Sequence, residues 1–151
     1  LRDPDNLDFR PKKDSELVDA GAFIKGKDIQ FLGNAPDIGA YEYGDTNYWI
    51  PGFQDKKASV AIPKNKTTTA KENADLMWLT AYKSVANEVY FGTNLSDVEE
   101  ATKQSSQYKG TQQNNIYTPS SLESGKTYFW RIDSVMNKMT VKGEVFEFTV
   151  K

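Results

Sequence analysis

Between residues 74 and 150 apolar and polar positions alternate in short runs. ADLMWLT comes first, NEVYFGT follows, and LESGKTYFWRID and GEVFEFTV close the stretch. Each run is β-branched or aromatic at alternate positions and is bounded by Gly, Asn, Ser or Lys. That period of two predicts strands with one face in a core and the other in water. Parity sets the register. In KTYFWRIDSV, Tyr128, Trp130 and Ile132 share one face, and Phe129, Arg131 and Asp133 share the other. The face with Arg and Asp is expected to meet solvent, so the first set points inward. The same rule places Ala74, Leu76 and Trp78 inside, then Val89 and Phe91, then Phe146, Phe148 and Val150, with Glu147 outside. A fully buried ring contributes about 1.5–3 kcal/mol by transfer alone. The prediction is an all-β fold, an antiparallel β-sandwich.

Weaker signals fill the gaps. Ala58 to Ile62 (ASVAI) reads as a first edge strand stopped by Pro63. Residues 95–101 (LSDVEEA) predict one helical turn, with Ser96 and Glu99 as a capping box, followed by a strand near 102–106. Residues 107–118 carry little hydrophobicity and predict a weak strand with a loop. The rest of the chain is different in kind. Residues 1–44 are rich in Asp, Gly and Pro, with apolar pieces (ELVDAGAFI, DIQFLG, DIGAYEY) too short for a core of their own. Residues 45–57 form a connection, and its Trp-Ile-Pro-Gly string suggests a packed crossing rather than a loose tether. Three parts result: 1–44, a linker at 45–57, and a sandwich at 58–151.

Composition narrows the chemistry. With 151 residues, 38% hydrophobic and 13% aromatic, a core can be built. A net charge of -2 does not steer the chain toward nucleic acid or an anionic membrane. The chain has no Cys and no His. That removes thiol nucleophiles, disulfides, thiolate metal sites and imidazole acid–base chemistry. No apolar run approaches the roughly 20 residues of a membrane helix. The opening, LRDPDNLDFRPKKD, has no initiator Met and no signal-peptide pattern, so the chain is read as a piece of a longer precursor.

Two resemblances follow from particular residues. Trp78, VYFGT at 89–93 and LESGKTY at 122–128 resemble a fibronectin type III module, over about half the chain. In that family a Leu six residues before a Tyr marks a corner whose Tyr hydroxyl bonds back to the main chain. Leu122 and Tyr128 have that spacing, and Ser124 stands where the family usually has Pro. Residues 8–21 (DFRPKKDSELVDAG) and 33–44 (GNAPDIGAYEYG) resemble the closing coil of right-handed parallel β-helix proteins. Many of these are secreted bacterial polysaccharide lyases or glycoside hydrolases. Their catalytic residues lie on earlier coils, so none carries over. The resemblances imply an immunoglobulin-like, fibronectin type III-like sandwich preceded by an irregular β-helix terminal segment and a linker. They also imply an upstream catalytic β-helix domain as partner and a secreted, periplasmic or cell-surface location.

Candidate chemistry is sparse. Asp3, Asp5 and Asp8 are dense enough to suggest Ca²⁺, but the spacing fits no loop motif and a solvated turn explains them. Asp37 and Glu42 can be imagined as a glycosidase pair, yet Asp37 suits a turn cap and Glu42 alternates with Tyr41 and Tyr43 on a terminal strand. Tyr41, Tyr43, Tyr48, Trp49 and Phe53 form the densest aromatic group. They either stack on sugar rings or join the coil to the sandwich. Arg131 and Asp133 are expected in an exposed ionic ladder with Glu88, Glu144 or Glu147. Trp78, Leu122, Tyr128 and Trp130 are structural. No catalytic, cofactor or metal residue is assigned. The function expected is a non-catalytic C-terminal accessory or spacer module of a polysaccharide-degrading or surface protein; the alternative is a carbohydrate-binding module around Trp49.

Overall fold

The computed structural model describes residues 1–26 and 29–151. Asp28, which opens the DIQFLG piece, lies outside them. The chain folds as all-β, with one short α-helix and one 3-10 turn among the described residues. Two sheets face each other. One has the order β1 (Ser59–Ile62), β3 (Leu76–Leu79), β6 (Ile116–Tyr117). The other has the order β2 (Thr67–Ala70), β9 (Val145–Val150), β7 (Thr127–Val135), β4 (Ala86–Gly92), β5 (Tyr108–Gln112), with β8 (Thr140–Val141) paired to β7. All pairings are antiparallel except β2 with β9, which is parallel.

The core between the sheets follows the parity rule. Leu76 and Trp78 of β3 meet Val89 of β4, Tyr128, Trp130 and Ile132 of β7, and Phe148 and Val150 of β9. Ala74, Phe91 and Phe146 pack on its margin. The rings are locked edge and face: Trp78 on Trp130 at 6.2 Å, Trp130 on Phe146 at 4.9 Å, and Tyr128 stacked on both Phe91 and Phe148. Asn87 is buried among them and accepts the Trp78 indole N–H at 3.1 Å, so one of the two central indoles has its polar atom satisfied. At the corner, the Glu123 main-chain N–H donates to the Tyr128 hydroxyl at 2.9 Å, beside buried Leu122.

Several expectations are corrected. Arg131 and Asp133 are buried, not solvated, because α1 (Leu95–Glu100) lies over the outer face of their sheet. There Tyr90, Val98 and Ala101 form a second small core with Phe129 and Val145 on its edge. The helix is capped by Asn94, whose side chain accepts the Asp97 N–H, and not by Ser96 and Glu99. Asn94 satisfies an orphan donor of the first turn from one residue outside it. No strand forms at 102–106. Thr102 and Ser105 turn the chain through side-chain bonds that compete with pairing, and β5 begins at Tyr108. β2 lies in the Thr-rich stretch after Pro63, where no strand was predicted, and gains its partner only from the last strand of the chain.

The larger finding concerns β3. Leu76, Met77, Trp78 and Leu79 are all buried. Two point into the core, and Met77 and Leu79 point out of it. A strand buried on both faces must be covered on both. The cover is Tyr48 and Ile50, with Leu7 and Tyr41 beside them. Leu7, Tyr41, Tyr48 and Ile50 thus contribute a third layer over the outer face of the three-stranded sheet. Within the described part of 1–44 the only regular features are the 3-10 turn Pro4–Asn6 and an isolated bridge between Asp3 and Asp8.

This layering has a measurable consequence. Met77→Ala should lower the unfolding free energy by about 2–5 kcal/mol, as for an interior Met, in urea unfolding followed by Trp fluorescence. A loss under about 0.5 kcal/mol would mean that the outer face of β3 is open to water.

Candidate functional site

The seam between the N-terminal layer and the strands is built from charge and from side-chain mimics of pairing. Arg10 donates through Nε and Nη2 to both oxygens of Asp8 (2.9 and 2.7 Å) and through Nη2 to Asp75 (2.7 Å). Arg2 adds an ion pair to Asp75 at 3.0 Å, and Thr118 donates to the same carboxylate. Burial pulls the Arg10 guanidinium toward lower pKa, but the bonds and charge of Asp8 and then Asp75 outweigh it and the net direction is upward. Asp8 is therefore one partner of a buried ion cluster and not part of a solvated turn. Asp3 accepts from Asn6, whose amide also reaches the Thr69 carbonyl of β2. Asp5 stays exposed. Among the described residues no group of three or more acids is placed to hold a metal ion.

Asn115 completes the seam. Its amide accepts the Tyr48 N–H and donates to the carbonyls of Tyr48 and Trp78. One side chain does the work of a strand pair between segment 45–57 and β3. The Tyr48 hydroxyl donates to the Leu7 carbonyl at 2.6 Å and accepts the Phe9 N–H.

The aromatic group divides. Tyr48 is 3% exposed and stacks on Tyr41 with centroids 4.3 Å apart. These two rings join the layers, and Tyr48 has no face left for a sugar. Tyr41 is half-buried and donates to the Trp49 carbonyl. Trp49 (65% exposed), Phe53 (91%) and Tyr43 remain at the surface. The notch beside the stacked tyrosines is walled by Leu7, Phe9, Ile50 and Val60. Both of its phenols donate to main-chain carbonyls, Tyr48 to Leu7 and Tyr41 to Trp49.

Asp37 and Glu42 do not face a cleft as a pair. Asp37 accepts the N–H groups of Asp19 and Tyr43, and Glu42 accepts those of Asp37 and Leu32. Both carboxylates hold the loop together. Gly21 lies where its N–H meets the Pro36 carbonyl at 2.6 Å, and a Cβ there would press on that backbone. Large apolar side chains remain outside as well: Phe23, Ile24, Phe31, Leu32 and Ile38 are all exposed, Ile38 by 50%. Phe23 and Phe31 meet edge to face at 5.6 Å.

Sequence reasoning missed the role of Arg131. Its five N–H donors make five bonds: two to Asp133, and three to the carbonyls of Val98, Glu99 and Ala101 at the end of α1. Its guanidinium lies 4.2 Å over the Tyr90 ring. The helix has no basic residue in its last turn, and that lack was the available signal that a cation must arrive from elsewhere. Glu88, placed opposite Asp133, pairs with Lys103 at 2.7 Å and accepts from Tyr90. Glu144 pairs instead with Lys57. The exposed ladder is thus a buried network, spent on structure.

Two predictions follow from this network. Arg131→Ala leaves Asp133 unpaired and three helix carbonyls open, so stability should fall by about 3–5 kcal/mol in denaturant unfolding; a loss under 1 kcal/mol would show a solvated site. The Tyr90 phenol is pushed up from 10.0 to about 12, first by burial and then by the charges of Asp133 and Glu88. Its folded pKa exceeds its unfolded one, so its contribution is complete below pH 10 and is lost as pH rises toward 12. The urea midpoint should drop across that window, and less steeply in Tyr90→Phe. An unchanged slope in the variant would contradict the assignment.

Compared with protein-family models, curated proteins and solved structures, the chain shows no significant match.

Proposed function

We propose that the chain is a non-catalytic accessory module of a larger secreted bacterial protein that acts on polysaccharide, with residues 1–44 as the end of a β-helix and residues 58–151 as a fibronectin type III-like sandwich. The observation that carries this reading is the contrast within the N-terminal layer. Some of its residues are bonded to the strands, through Arg10, Tyr48 and Asn115. Others, Phe23, Ile24, Phe31, Leu32 and Ile38, are exposed to solvent. An end-piece of a solenoid needs both, a firm seat on its cap and an apolar face for the body it closes.

Strand order supports the sandwich family. β1, β3 and β6 share one sheet, and β4, β7 and β9 lie together in the other. Setting aside the added strands β2, β5 and β8, this is the division of immunoglobulin-type sandwiches. The Tyr128 bond at the corner supports it further. Among the described residues no helix is long and apolar enough to cross a membrane. The buried layer seam favours a module that holds a fixed orientation over one that swings on a tether. The location in this reading is the periplasm, the cell surface or the medium.

A second reading, carbohydrate binding, retains one favourable observation: the exposed ring of Trp49, with Tyr43 and Phe53 also open.

The reading frame upstream of this segment in its gene tests the first reading. It should encode repeated coils with clustered Asp, Lys or Arg; an unrelated upstream sequence would overturn the β-helix assignment. Calorimetric titration with a panel of acidic and neutral oligosaccharides separates the two readings. No heat of binding is expected from the accessory module, whereas binding abolished by Trp49→Ala with an unchanged melting temperature would establish the second. Turnover of polysaccharide by the isolated chain would contradict both.

A further inference from the structure

We draw no further inference here: the strongest candidate, the exposed apolar face of Phe23, Ile24, Phe31, Leu32 and Ile38 on the N-terminal layer, belongs to the docking role already proposed, and nothing in the structure shows what covers it.

Discussion

Four consecutive buried residues in β3 govern this molecule. Leu76 and Trp78 close the core between the sheets, and Met77 and Leu79 need cover on the other side. Burying an apolar side chain contributes about 1.5–3 kcal/mol, and leaving it wet forfeits that. The cover comes from Tyr48, Ile50 and Leu7, held down by the Arg10 cluster and by Asn115. A segment with almost no regular structure is thereby made part of the folded body. The strand gives Tyr48 and Ile50, with Leu7 beside them, a surface on which to be buried, while Phe23, Ile24, Phe31, Leu32 and Ile38 stay exposed.

The two polar networks solve the same problem on opposite faces. Arg10 sits between Asp8 and Asp75 at one seam, and Arg131 sits between Asp133 and the helix carbonyls at the other. Each arginine is nearly or fully buried, and each has its fork matched by carboxylates in a geometry that lysine could not reproduce. Such clusters add little to stability compared with apolar packing, but once buried they cannot lose a member cheaply. They fix where the N-terminal layer and α1 must lie.

Much of the core could be read from the sequence. The alternation in KTYFWRIDSV placed Tyr128, Trp130 and Ile132 correctly, and the Leu122–Tyr128 spacing anticipated the corner bond. The outward faces could not be read so simply. Parity says which residues share a face and does not say whether another element covers it. Arg131 therefore looked solvated until α1 was placed over it, and the parity that turned Leu76 and Trp78 inward left the cover over Met77 unread. The unbroken LMWL run was a clue, because a strand with one wet face rarely spends four apolar residues in succession. In the candidate site, the exposed rings of Trp49 and Phe53 and the buried one of Tyr48 are indistinguishable by residue type. Only the Asn115 and Leu7 contacts, more than 40 residues away in the chain, separate them.

Native-state amide hydrogen exchange tests the central claim most directly. The Tyr48 amide, bonded to Asn115, and the Phe9 amide, bonded to the Tyr48 hydroxyl, should open with nearly the same free energy as amides in the middle of β7, because the N-terminal layer and the strands unfold together. Exchange of those two amides at rates near those of an unfolded chain, with β7 still protected, would show a separate, loosely attached segment and contradict the account.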